Sequence, residues 1–439
     1  MEEKDEKAHP IEEATNTFLH SVRDIEAAVK VFMPIGHEIL RERWKETVNS
    51  LKESVDKIKS DDDEVRTLAQ IAFDQQYTRM ERLENTKLPY HLEKSLFIGL
   101  FSAYDAFIGD LLKAIFGKRP ELLKKITKTI DLSSIVAASD LEQLKNEALE
   151  EYIEDFRRDG YAKQFECLEK FFELQLTKFS NYSNFIEASQ RRHLFTHCSG
   201  QVSQQYIDCC KTAGYKSDDF PPERGKTLKL GPTYFYSVCD VMFEVGVKLS
   251  HTLWRKQFPN ELEEADKVLS DTIFELLKNE RWNRAILIGE FAYSQKKHVD
   301  KERGKIVTAN YCIALKFGGD EERSRTILES RDWSDSMPDL KIAKAVLLDD
   351  YEEAARLMEI IGKEGELITE NSYLTWPLFR NFRSSDEFLK AYEKIYGYSF
   401  AVEAKKEVER SEEKAPQGTL EDEAEPGGAI NDEAAASSR

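Results

Sequence analysis

Leu96-Phe97-Ile98-Gly99-Leu100-Phe101-Ser102-Ala103-Tyr104-Asp105-Ala106-Phe107-Ile108-Gly109-Asp110-Leu111-Leu112-Lys113-Ala114-Ile115 is the stretch whose pattern decides the fold. Leu96, Phe97, Leu100, Phe101, Tyr104, Phe107, Ile108, Leu111, Leu112 and Ile115 recur at steps that suit a helix, and they cover most of its circumference. A helix that is apolar nearly all round needs neighbours nearly all round, so residues 91–118 predict the central member of a helical bundle. Gly117 and Pro120 end it. Asp105 lies within the apolar surface, where an unpaired carboxylate is costly to bury.

Downstream, a short helical turn is expected around Leu122–Ile126 and a helix over Leu141–Asp159. An amphipathic helix over Tyr161–Phe179 carries Phe165, Leu168, Phe172, Leu176 and Phe179. Another runs from about Tyr182 to Thr196 and stops at Ser199-Gly200. The last starts at Pro232 and ends near Trp254. Residues 91–258 therefore read as a bundle of four main helices. Residues 1–90 read as an N-terminal helical extension, with Ile25, Val29 and Phe32 and then Val48, Leu51, Val55 and Ile58 at helical spacing.

Residues 259–400 change character. Short amphipathic helices recur in pairs whose first members begin near Ala265, Lys301, Asp339 and Ile368, at intervals of roughly 30–38 residues. Trp282-Asn283-Arg284-Ala285 and Tyr351-Glu352-Glu353-Ala354 share an aromatic-x-x-Ala pattern, and the small Ala lets paired helices approach closely. This segment resembles a degenerate tetratricopeptide array, which implies a surface for a protein or peptide partner. Residues 401–439 are rich in Glu, Ala, Gly and Ser, and are expected to be a disordered acidic tail. The fold class that follows is all-α.

Composition narrows function. The chain has 439 residues and a net charge of −19, of which the 11 acidic and 5 basic side chains of Ala401–Arg439 contribute −6 and the remainder −13. A protein that coats nucleic acid generally needs a basic face, so that class is disfavoured, although a local basic cleft is not. The acidic N-terminus does not read as a signal peptide, and no run reaches the ~18 apolar residues that would span a bilayer. A cytoplasmic protein with no membrane association is expected. Cys167, Cys198, Cys209, Cys210, Cys239 and Cys312 form no Cys-x-x-Cys pair and are read as free thiols. The alternative is a zinc site built from Cys198, Cys209, Cys210 and His197. No glycine-rich phosphate loop, His-Glu-x-x-His pair or Gly-x-Ser-x-Gly elbow occurs, so neither cofactor nor metal is expected.

The stretch that carries chemistry is Arg191-Arg192-His193-Leu194-Phe195-Thr196-His197-Cys198-Ser199-Gly200. Arg192 and His197 are five residues apart, which at about 100° per residue leaves them about 140° apart around a helix. They converge only through the long Arg side chain, the helix end at His197, or a second subunit. His197 falls in the last helical turn, where the negative pole of the helix favours a protonated ring. His193 and His197 are at i,i+4 and share a face.

An apolar helix with an embedded acid, then an Arg-x4-His motif at a helix end, then Gly200 and a last long helix, resembles the HEPN superfamily of helical bundles. Relatives often carry Asn beside the Arg and Asn-Asn-Gly after the His. Here His193 and Cys198-Ser199 stand in those places, while Gly200 and Val202 fit the continuation. The resemblance covers about 91–256. It implies a metal-independent endoribonuclease in which Arg192 and His197 are catalytic, with Arg191, His193 and Asp105 in support. It also implies a homodimer that brings two Arg/His sets to one RNA cleft, and a conditional, toxin-like or antiviral role. The alternative is a non-catalytic dimeric interaction scaffold, with Arg192 and Asp105 as a structural salt bridge and His197 as a helix cap.

Overall fold

A computed structural model describes residues 8–127, 129, 131, 135 and 138–401. The structure is all-α: 75% is helix, and no strand occurs among the described residues. Extended pairing is confined to two isolated antiparallel bridges, Gln201–Thr227 and Glu364–Thr369. The tail expected to be disordered lies, beyond Ala401, outside the described residues. The chain divides into two compact units, Met1–Gln257 and Phe258–Arg439.

The first unit contains α1 (Pro10–Ile58), α2 (Asp63–Glu84), α3 (Leu88–Lys118), a 3-10 turn (Pro120–Lys125), α4 (Leu141–Arg158), α5 (Tyr161–Phe172), α6 (Tyr182–His197), α7 (Gln204–Thr212) and α8 (Pro232–Gln257). The helix starts follow local chemistry. The Asp62 carboxylate accepts the Glu64 and Val65 N–H groups at the start of α2, and Pro232 opens α8.

As its pattern requires, α3 lies at the centre, packed by α1, α4, α6 and α8. Phe97, Leu100, Phe101, Tyr104, Ile108, Leu111 and Ile115 are fully buried. Each such side chain contributes roughly 1.5–3 kcal/mol of burial. By length and composition, the segment Asp63–Lys118 also holds an 18-residue window apolar enough to cross a membrane, where the sequence reading found none. Half of that window is buried inside the unit, because its apolar residues are core residues of α3.

Two features differ from the sequence reading. The first turns of α1 belong to the core and are not merely appended to it. Ile11, Phe18, Leu19 and Val22 are buried, and Phe18 stacks on Phe107 with ring centroids 4.6 Å apart. Gly246 of α8 makes room for that ring, since a Cβ there would meet Phe18 at 2.6 Å. The helix expected to run to Phe179 stops at Phe172. Glu173 takes a left-handed φ of 57°, and the Glu169 carboxylate accepts both the N–H and the hydroxyl of Thr177, at 2.7 and 2.8 Å. Leu176 remains fully buried beyond the break.

The second unit is a run of paired helices: α9 (Leu262–Lys278) with α10 (Trp282–Tyr293), α11 (Lys301–Phe317) with α12 (Glu321–Glu329), α13 (Pro338–Leu347) with α14 (Tyr351–Ile361), and the short α15 (Glu370–Thr375) followed by α16 (Asp386–Tyr396). The two aromatic-x-x-Ala patterns do the same work, each joining its pair to the segment that follows. Ala285 and Ala354 are fully buried, Trp282 packs on Phe317 at 5.5 Å, and Tyr351 packs on Phe382 at 5.3 Å. Asp300, Asp320 and Asp350 each cap the helix that follows through a backbone N–H three residues on.

Candidate active site at the end of α6

The C-terminal turn of α6 is fixed before any site residue is considered. Leu194 and Phe195 are fully buried, and the Leu194 carbonyl accepts both the Cys198 N–H at 2.7 Å and the Gly200 N–H at 3.0 Å. Ser199 and Gly200 follow with φ of 51° and 78°, so two successive left-handed residues turn the chain out of the helix. Gly200 is required twice over: its φ is positive, and a Cβ would meet the Phe195 ring at 3.0 Å. This anchored end leaves His197 exposed in the last turn.

His193 and His197 lie together, with ring centroids 4.7 Å apart. His193 is half-buried. Burial holds its pKa below the ordinary 6.5, and the neighbouring His197 and Arg192 push it the same way. Arg192 is also half-buried, and its Nε is buried without a hydrogen-bond partner.

Asp105 lies close enough to Arg192 to act on it through space, but no ion pair joins them among the described residues. The Asp105 carboxylate instead accepts a hydrogen bond from the Tyr161 hydroxyl at 3.2 Å, and its other oxygen is buried and unpartnered. Burial raises the Asp105 pKa, against the opposing effects of Tyr161, Arg192 and Arg157. Burial, helped by the same carboxylate, pushes the Tyr161 hydroxyl far up, so Tyr161 stays a donor.

Arg191 is placed differently. Its guanidinium lies over the Tyr234 ring at 3.7 Å, pairs with Glu187 at 2.8 Å and donates to the Lys229 carbonyl at 3.2 Å. Glu187 is itself buried and accepts the Tyr206 hydroxyl at 2.6 Å and the Tyr234 hydroxyl at 2.7 Å. Arg191 thus belongs to a closed polar network that ties α6 to α7 and α8. The structure brings Arg192 near His193 and near Asp105, sets His193 against His197, and commits Arg191 to the network.

Sequence reasoning passed over Tyr161 and Glu187. Tyr161 is 56 residues from the aspartate it serves and carries no local signal. Glu187 stands at i,i+4 from Arg191, a spacing visible in the sequence. The proposed zinc set does not assemble: among the described residues, no three of Cys198, Cys209, Cys210 and His197 bring ligand atoms within 4.8 Å of one another. Cys210 is instead packed with Leu194, Val202, Tyr206 and Ile207, where burial and the Glu187 charge push its thiol up to about 12. All six cysteines are free thiols.

Comparison with family models, curated proteins and solved structures returns no match to this chain.

Proposed function

We propose that this chain is a metal-independent endoribonuclease of the HEPN type, acting in the cytoplasm. The observation that carries the reading is the contrast within the motif. The Arg191 guanidinium is consumed by the fold, whereas the Arg192 guanidinium lies near His193, itself packed on His197, and its buried Nε has no hydrogen-bond partner among the described residues. An arginine left uncommitted at a half-buried position suits an anionic oxygen, because a guanidinium binds phosphate through two parallel N–H donors.

In the proposed reaction His193, favoured in its neutral form, takes the proton of an RNA 2′-hydroxyl. The 2′-oxygen bonds to the adjacent phosphorus, and the bond from phosphorus to the 5′-oxygen breaks. The exposed His197 returns a proton to that leaving oxygen, and Arg192 holds the phosphoryl oxygens as charge develops. The products are a 2′,3′-cyclic phosphate and a free 5′-hydroxyl. Because Arg192 and His197 point about 140° apart on one helix, the reading includes a homodimer that sets two such groups across one cleft. The paired helices of the second unit serve as a tetratricopeptide-like platform for a regulating protein or peptide, which makes the activity conditional.

One observation favours the scaffold reading. Asp105 places negative charge beside Arg192 in a chain whose charge is already −19. Incubating the full chain with total RNA in EDTA separates the two. The ribonuclease reading expects degradation by wild type and none by Arg192→Ala or His197→Ala at matched helicity. Cleavage that survives either substitution, or requires added metal, overturns it.

A further inference from the structure

Beside the segment that packs on the α6 end, the first unit carries a half-open cavity of about 620 Å³. That volume falls within the range of small-molecule sites, roughly 300–1,000 Å³. Met33 of α1, Tyr90 of α3, Leu228 and Leu230 of the incoming segment, and Tyr236 of α8 form its apolar wall.

The wall is anchored from behind. The Leu228 N–H donates to the Gly200 carbonyl at 3.0 Å, and the Lys229 carbonyl is turned away to accept Arg191. Gly231, at φ 64°, then turns the chain into Pro232 and the start of α8. A space held open on this side by hydrogen bonds made on the other is preformed.

One charged side chain is built into the wall. Glu93 is half-buried, lies by the Gly231 backbone and faces the exposed His37. Burial raises its pKa against both of those influences. Lys229 also borders the cavity but is exposed to solvent. A carboxylate in an apolar wall is costly unless a cation or further donors meet it. Tyr90 and Tyr236 add aromatic surface, which attracts a cation as well as an aromatic ring.

We infer that this cavity binds a small aromatic amine, with its ring among Met33, Leu230 and the two tyrosines and its ammonium on Glu93. Such a ligand supplies a positive charge within the apolar wall, where His37 and Lys229 lie exposed to solvent, and fills apolar space with one rigid ring. The inference stands independently of RNA cleavage, because none of these residues belongs to the Arg192–His197 group.

Calorimetric titration of the full chain with three indoles of one shape and different charge tests it: tryptamine, the neutral alcohol tryptophol, and indole-3-acetate. Tryptamine is expected to bind once per chain. Tryptophol should bind at least about tenfold more weakly, the worth of one hydrogen bond to a charged group, and indole-3-acetate not measurably. Glu93→Gln, which keeps the side-chain shape, should erase the preference for tryptamine. Met33→Trp, which fills the cavity, should abolish binding of tryptamine and tryptophol alike. Equal affinity for amine and alcohol, a preference that survives in Glu93→Gln, or no binding of tryptamine to a folded wild type overturns the inference.

Discussion

Arg191 and Arg192 are consecutive in the chain and have opposite fates. Arg191 is surrounded: Glu187, the Tyr234 ring and the Lys229 carbonyl take up its charge and its donors. Arg192 is held near Asp105, Tyr161 and His193 by charge and shape, with a buried Nε that donates to nothing. Among the described residues the Arg192 Nε is one of several buried side-chain atoms without a partner, and it lies among titratable side chains, where an anionic ligand would meet it. The same helix therefore carries a structural face and a candidate catalytic face, one residue step apart.

The comparison is tested most severely on the Arg192 face. Arg192→Ala is expected to cut RNA cleavage by roughly 10²–10³-fold, the usual cost of losing a donor to developing charge, while the melting temperature holds. The pH profile sharpens it. His193 sheds its proton below 6.5, so cleavage should persist to lower pH than an ordinary imidazole base allows, and His193→Gln should remove that acidic limb. A large loss of stability in Arg192→Ala would put Arg192 in the same class as Arg191.

Next in size is the Glu187 face. Glu187→Ala strands the Arg191 charge and two tyrosine hydroxyls inside the unit, and should cost about 3–5 kcal/mol, the usual effect of breaking a buried pair. Thermal unfolding followed by circular dichroism reads this directly. A change near zero would show that the network adds nothing to stability.

In the second unit, Trp282→Ala should cost about 2 kcal/mol, less than a wholly buried tryptophan, because the ring is half-buried against Phe317. Its effect should stay within the transition of that unit. Loss of the first unit's helicity in this variant would break the division near Gln257.

The smallest effect is expected at Asp105. Its folded pKa is raised above 3.8, so ionisation opposes folding. The penalty is absent below the unfolded value and complete once pH has risen through the folded value. Asp105→Asn should therefore melt slightly higher than wild type at pH 7, and the two curves should converge below pH 3.8. A lower melting temperature at pH 7 would show that the carboxylate stabilises through Arg192 after all.

Much of this was legible in the sequence, where the information was local. The all-round apolar pattern of Leu96–Ile115 placed α3 at the centre. Ser199-Gly200 marked the end of α6, and Pro232 marked the start of α8. The aromatic-x-x-Ala repeat located two of the helix pairs. What the sequence concealed depends on partners far along the chain. The stop at Phe172 needs Glu169 to reach Thr177, and the docking of α1 needs Gly246 beneath Phe18. Arg191 looked equivalent to Arg192 because Tyr206 and Tyr234, which capture its partner Glu187, lie on the next helix and at the start of the one after it. Periodicity says which face of a helix is apolar; it does not say which of two adjacent arginines meets a buried acid.

The most direct measurement of the central claim is the chemistry of the cut ends. An RNA oligonucleotide incubated with the full chain in EDTA and analysed by mass spectrometry should yield fragments ending in 2′,3′-cyclic phosphate and beginning with 5′-hydroxyl. His197→Ala, at equal helicity, should leave the oligonucleotide whole. Intact RNA with wild type, or the same fragments from His197→Ala, would contradict the assignment of catalysis to the end of α6.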